Sequence, residues 1–162
     1  MKKDFNSKIL NSIVLVGIIL TLLALLATPV ILTAMFKSGL GVVGSNMPIY
    51  ISIGIYICAI PYVLSLFILK KLCKKILIGQ PFSKEIPKYL KQISICAFSE
   101  ILIFNTIQVA IYYIFDIYLY GLTIMSSIIV SFISLAICFL GLVLSKLFEM
   151  AIEIKDENDK TI

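Results

Sequence analysis

Long runs of apolar residues divide the chain into four blocks, with polar and charged residues gathered between them. The blocks cover residues 9–36, 48–69, 93–115 and 122–144. Each offers about 20 residues or more, the length that a helix rising 1.5 Å per residue needs to cross ~30 Å of hydrocarbon. The first block also exceeds the roughly 7–15 apolar residues of a signal peptide, so we expect it to be retained. Because lipid offers no partner for an unpaired backbone amide, the pattern predicts an all-α polytopic membrane protein with four transmembrane helices.

Composition agrees with this assignment to the membrane. The 162 residues are 60% hydrophobic and only 14% charged, and the mean hydropathy is +1.08. Soluble domains are about half apolar and about a quarter charged, and disordered chains have still fewer apolar residues. We therefore expect the lipid bilayer to be the main partner of a single membrane domain, and we expect no direct binding of nucleic acid.

The lysines predict the orientation. All basic residues are lysines, and every one except Lys37 lies in the N-terminal segment, in the loop 70–92 or in the tail 145–162. Positive residues collect on the cytoplasmic side of membrane proteins. We therefore expect a multi-pass protein of the cell membrane whose termini and 70–92 loop are cytoplasmic. Two short outer loops are expected at residues 37–47 and 116–121.

The loop between the second and third blocks has the pattern of a short basic helical hairpin. The helical pattern continues past Leu69 and breaks at Gly79, because glycine suits the position after a helix and the nearby Pro81 cannot continue one. Ser83 is placed to cap the next helix. Attraction of the hairpin lysines to anionic lipid and docking of another protein are both open interpretations.

Polar residues inside the third block form a candidate intramembrane site. At 100° per residue they share a sector about 140° wide. They are Ser94, Glu100, Asn105, Gln108 and Tyr112. An ionisable residue inside a membrane is costly and marks a functional site by default. Glu100, Asn105 and Gln108 are the candidates, with a structural hydrogen bond or a reach toward the headgroups as the alternative role of Glu100.

A stripe of small residues in the fourth block predicts a contact between helices. The residues follow one another at spacings of 4, 3, 4, 3 and 4: Ser127, Ser131, Ser134, Cys138, Gly141 and Ser145. Small side chains let two helices approach closely and form hydrogen bonds across the contact. The stripe is expected to pack within the bundle or to form the seam of a homo-oligomer.

The residue inventory argues against an enzyme. Histidine and arginine are absent, which removes the commonest general base and metal ligand. Glu100 and Asp116 are sixteen residues apart, roughly 24 Å along a helix, so they do not form a carboxylate pair. The four cysteines form no CxxC pair and are interpreted as small apolar residues. We expect no catalytic residue, no cofactor and no metal site.

Four segments, in this order, resemble a known family. They are residues 53–62, the turn segment 81–83, residues 90–97 and the end of the chain, 151–162. Over roughly residues 48–162 the chain resembles the bacterial membrane family called domain of unknown function 2975. Lys160 departs from the leucine expected before the final threonine–hydrophobic pair.

The resemblance implies four spans, no established activity, and a gene often placed beside a Cro/CI-type helix-turn-helix regulator. It therefore implies a regulatory membrane partner that holds or modulates a cytoplasmic transcriptional regulator. The expected contact surfaces are in the hairpin turn and the tail: Pro81, Phe82, Ser83, Glu157, Asn158 and Asp159. The alternative function is a small transporter, channel or immunity-type protein acting as an oligomer, with the polar sector of the third block lining a path.

Overall fold

The computed structural model describes the backbone of residues 2–39, 46–115 and 120–160. Side chains are described for residues 9–38, 46–113 and 124–160. Most of the two expected outer loops lies outside these ranges, and so does Asp116. The last two residues of the tail also lie outside them.

Four helices make up the described chain: α1 (Lys2–Gly39), α2 (Met47–Leu77), α3 (Glu85–Phe115) and α4 (Tyr120–Asn158). All four are long and apolar enough to cross a membrane, and the described backbone contains no strand. The predicted all-α class with four transmembrane helices is therefore confirmed. With 39 residues, α4 is ~58 Å long, almost twice the ~30 Å of a bilayer's hydrocarbon. Part of this helix therefore extends beyond the lipid.

Each helix packs against the next one along the chain. Contacts join α1 to α2, α2 to α3 and α3 to α4, whereas α1 and α4 do not meet within the described residues. Neighbouring helices run antiparallel: Gly54 of α2 lies beside Ile107 of α3, while Lys75, further along α2, lies beside Glu85. In its described part the molecule is thus an open succession of helices, unlike a closed four-helix bundle.

Large apolar side chains are buried at one end of the molecule, which we call the lysine-rich end (residues 70–92 and 145–160). The buried residues there include Leu72, Cys73, Ile86 and Ile152. Val14 and Ile18 of α1 pack against Cys73. Along the spans most large apolar side chains are exposed instead, with Val14 and Ile18 as exceptions. This inversion is expected when water surrounds one region and lipid surrounds the other.

Candidate functional site

Asn105 of α3 is the centre of a polar seam between α3 and α4. Its Nδ2 donates hydrogen bonds to Ser131 Oγ at 3.1 Å and to Ile101 O of its own helix at 2.7 Å. Its Oδ1 accepts a hydrogen bond from Ser127 Oγ at 2.7 Å. Both polar atoms of the amide are therefore bonded, and two of these bonds join the helices. In a membrane, hydrogen bonds of this kind contribute about 0.6 kcal/mol each on average.

Gln108 extends the seam by about one turn. Its Nε2 donates a hydrogen bond to Ser126 Oγ at 2.8 Å. Two of the three candidate intramembrane residues, Asn105 and Gln108, thus face α4 and bond to its serines. Their polar groups serve the contact between the two helices.

The small-residue stripe of α4 continues this seam toward the lysine-rich end. Its buried members are Ser134, Cys138, Gly141 and Ser145. A Cβ added at Gly141 would collide with the Ser94 hydroxyl and would lie 3.2 Å from the Leu90 carbonyl oxygen. Ser145 Oγ donates a hydrogen bond to Pro87 O at 2.9 Å. At Gly141 and Ser145 the stripe therefore packs directly against α3, so contacts within the chain account for this part of it.

Glu100 faces a different neighbour. The antiparallel register of α2 and α3 places it level with the buried Pro61. Ile107 and Ile111, which share the face of α3 that carries Glu100, lie against Gly54 of α2. Its Oε2 is buried and has no hydrogen-bond partner among the described residues. The predicted polar sector therefore divides between two contacts, because Asn105 and Gln108 meet α4 whereas Glu100 meets α2.

The described residues contain no group of three or more His, Cys, Asp or Glu side chains that is arranged to hold a metal ion. All four cysteines are free thiols: Cys73 and Cys138 are buried, and Cys58 and Cys96 are half-buried.

The turn between α2 and α3 forms as the sequence predicts. Gly79 adopts φ +79°, in the left-handed region where glycine has no steric penalty. Ser83 Oγ accepts a hydrogen bond from the Glu85 backbone N–H at 3.4 Å. The predicted helix break and the predicted cap are both confirmed. Pro81 and Phe82 lie exposed on this turn.

The end of α4 contacts the same turn. Lys84 Nζ lies 3.3 Å from Asp156 Oδ2, and Lys155 Nζ lies 5.8 Å from the centroid of the Phe82 ring. Ile152, about one turn before Lys155 and Asp156 on α4, is buried, with 6% of its surface exposed. The remaining tail candidates are exposed and follow directly: Glu157, Asn158 and Asp159. The tail is thus helical as far as Asn158, as a continuation of α4, although most of its side chains are exposed.

From the sequence, the acidic tail could bind the lysine-rich loop or remain solvated, and no pattern singled out Lys84, Lys155 and Asp156. The lysine-rich turn and the acidic tail have opposite charges, but an exposed ion pair contributes only ~0–1 kcal/mol, so charge alone does not predict docking. The spacing of buried positions along α4 is a better indicator of this contact. Ile152 follows Ser145 by seven residues, which places both on one face of α4.

On the face of α4 opposite its buried stripe, three apolar residues form a second stripe, which we call the outer stripe. They are Leu147, Met150 and Ile154, and their exposed fractions are 51%, 42% and 65%. Ser145 of α4 lies beside Pro87 of α3, and the two helices are antiparallel. The three residues of the outer stripe therefore lie at the same height as the polar turn between α2 and α3 (residues 78–84). The outer stripe continues the exposed apolar face of the span, which includes Leu140 and Val143, past the end of the apolar block at Leu144. Apolar side chains exposed at this level make the face a candidate interaction site.

These helices, seams and exposed ends define a polytopic helical membrane protein. The family model described as "Protein of unknown function (DUF2975)" matches residues 36–162, so the chain belongs to this family. The match covers α2, α3 and α4 and begins near the end of α1. No curated protein and no solved structure matches the chain.

Proposed function

We propose that this chain is a non-enzymatic regulatory membrane protein that binds a cytoplasmic transcriptional regulator. In this proposal the lysine-rich end and both termini face the cytoplasm, as the distribution of lysines favours. The helices anchor the chain and respond to a signal in the envelope. The observation that carries the proposal is the outer stripe of α4, which exposes Leu147, Met150 and Ile154 level with the polar turn.

The outer stripe has the character of a protein-binding surface. Its three side chains lie on one face of a helix, and the acidic Glu153 lies exposed beside them. An apolar strip with a charged border resembles the core and rim of a protein interface. The helix is also held firmly, because Ser145 and Ile152 fix its other face to the neighbouring elements. A partner would therefore meet a preorganised surface.

The same helix connects this surface to the membrane. One side of α4 bonds to Asn105 within the span, and the same helix carries the outer stripe beyond it. Shifts of 1–2 Å between packed helices are a common way to transmit a signal. A shift of α4 along α3 would displace the outer stripe relative to the turn, and this displacement is the proposed regulatory event.

The alternative of a transporter, channel or immunity-type protein has no specific observation in its favour among the described residues. Asn105 and Gln108, which would line a path, are bonded to serines of α4. We therefore develop the regulatory proposal alone.

The probe for this proposal is an epitope-tagged copy of the helix-turn-helix regulator that the family resemblance implies is encoded nearby. With the wild-type chain, the regulator is expected in the membrane fraction. The double variant Met150→Asp, Ile154→Asp places charge on the outer stripe and is expected to release the regulator and to change transcription of its targets. Ile78→Asp is the matched control, because Ile78 is 57% exposed on the turn, away from the outer stripe.

Immunoblotting of the chain itself in each membrane fraction separates a loss of binding from a loss of insertion. A regulator that stays soluble beside the wild-type chain would contradict the proposal. Target transcription that does not change when the chain is deleted would contradict it too.

A further inference from the structure

The ion pair between Lys75 and Glu85 marks one side of the groove between α2 and α3. Lys75 Nζ lies 2.8 Å from Glu85 Oε2. Lys71 precedes Lys75 by four residues, and Lys88 follows Glu85 by three, so each shares a helix face with one member of the pair. Because the helices are antiparallel, Lys71 on α2 and Lys88 on α3 both lie nearer to the spans than the ion pair does. Lys71 and Lys88 therefore flank the groove about one turn closer to the lipid.

This part of the groove carries more positive charge than its one carboxylate, Glu85, can balance. Lys71 and Lys88 are exposed, and neither forms an ion pair with any carboxylate of the described residues. Glu85 is already bonded to Lys75 and also accepts a hydrogen bond from the Tyr89 hydroxyl at 3.1 Å. The hydrogen bond from Lys75, and to a lesser extent the charge of Lys88, lower the pKa of the Glu85 carboxyl. With Lys71, three ammonium groups share one carboxylate, so positive charge remains to bind an anion.

The depth of these lysines matches that of lipid phosphates. Lys71 lies two residues beyond Leu69, where the apolar block ends, or about 3 Å along the helix. Lys88 lies five residues before Ile93, where the next block begins, or about 7 Å. The headgroup layer on each side of the hydrocarbon is about 5–7 Å thick. Both ammonium groups therefore reach the layer that contains the phosphates.

An apolar surface continues from these lysines into the spans. Leu64 precedes Lys71 by seven residues, and Ile95 follows Lys88 by seven, so each is two turns further along the same face. Their exposed fractions are 52% and 59%. A molecule with its anion between the lysines would have its hydrocarbon chains beside these two residues.

We propose that this groove is a binding site for one anionic phospholipid. The headgroup phosphate lies between Lys71 and Lys88, and the acyl chains run past Leu64 and Ile95. The lysine-rich end is thereby held at the surface of a leaflet that contains acidic lipid. This site is separate from the outer stripe of α4, so it holds whether or not a regulator binds there.

The test uses the full chain in detergent, with phosphatidylglycerol and phosphatidylcholine as probes, and counts retained lipids by native mass spectrometry. The wild-type chain is expected to retain one phosphatidylglycerol at least tenfold more strongly than phosphatidylcholine. Lys71→Gln with Lys88→Gln is expected to abolish this preference. Lys70→Gln with Lys74→Gln is the matched control, because it removes the same charge at a similar depth from another face of α2 and is expected to keep the preference.

If both double variants lose the preference for phosphatidylglycerol equally, the lysines attract acidic lipid only diffusely and the proposed site is wrong. Equal retention of the two lipids by the wild-type chain would also contradict the proposal. Inorganic phosphate at millimolar concentration is expected not to displace the lipid. Displacement by phosphate would reassign the groove to a free anion. Unchanged melting temperatures of both double variants in phosphatidylcholine nanodiscs are the check that they fold.

Discussion

The lysine-rich end and the spans of the same helices are built in opposite ways. At the lysine-rich end Ile86 is 1% exposed and lysines face outward, whereas in the span of α4 Phe132 is 72% exposed and serines face inward. In water, burial of apolar surface is the main source of stability. In lipid that source is lost, and close packing with hydrogen bonds between helices takes its place. The difference shows that each region is folded for its own solvent.

The largest effect that distinguishes the two regions is expected from Ile86→Ala. The substitution leaves a cavity in an apolar core, which costs about 2–4 kcal/mol of unfolding free energy. The measurement is chemical unfolding of the purified chain in mixed micelles. Ile95→Ala is the matched control, since Ile95 is 59% exposed toward lipid, and a change within about 0.5 kcal/mol is expected. Similar losses in the two variants would mean that the regions do not differ in solvent.

Gly141→Ala tests the packing of the spans, and its expected cost is about 1–3 kcal/mol. The new methyl group would displace the Ser94 hydroxyl and would lie 3.2 Å from the Leu90 carbonyl oxygen, so the α3 backbone would have to move by a few tenths of an ångström. Gly17→Ala serves as the comparison, because a Cβ at Gly17 meets no atom within 4 Å. The same unfolding assay is expected to show no loss for Gly17→Ala. A harmless Gly141→Ala would disprove the close approach of these two helices.

Asn105→Ala is expected to cost about 1 kcal/mol, within the range of hydrogen bonds between helices in membranes. It removes the bonds to Ser127 and Ser131. Thr106→Ala is the control, because the Thr106 hydroxyl donates only within its own helix, to Leu102 O at 2.7 Å. If both substitutions have the same effect, the seam does not stabilise the contact between α3 and α4.

The smallest effect is expected at Glu100. Since its Oε2 is buried without a partner, replacement by leucine is expected to raise the unfolding free energy by up to about 1 kcal/mol. Glu100→Gln keeps the size and polarity and is expected to leave stability unchanged. Regulator release by Glu100→Gln at unchanged stability would identify Glu100 as part of the signalling mechanism. Destabilisation by leucine alone would instead identify a hydrogen bond made by the carboxyl.

The fold was predictable because lipid imposes a minimum length on apolar helices, and four such blocks are visible in the chain. The turn was predictable from local chemistry at Gly79 and Ser83. The division of the polar sector was not, because periodicity places Glu100 and Asn105 at opposite edges of the sector, about 140° apart on α3, but does not say which helix lies opposite each. That depends on how the helices rotate and pack. The docking of α4 was missed because its ion pairs are weak and the burial of Ile152 is a tertiary effect.

The solvent of each region can be measured directly with spin labels along α4. Labels would be placed at Phe132 and Leu140 in the span and at Glu153 and Ile154 in the lysine-rich end, in a cysteine-free chain reconstituted in nanodiscs. Molecular oxygen is expected to collide preferentially with the first pair, and a water-soluble nickel chelate with the second. Collision of the nickel chelate with Phe132 and Leu140 as often as with Glu153 would show that water, not lipid, surrounds α4 along its whole length.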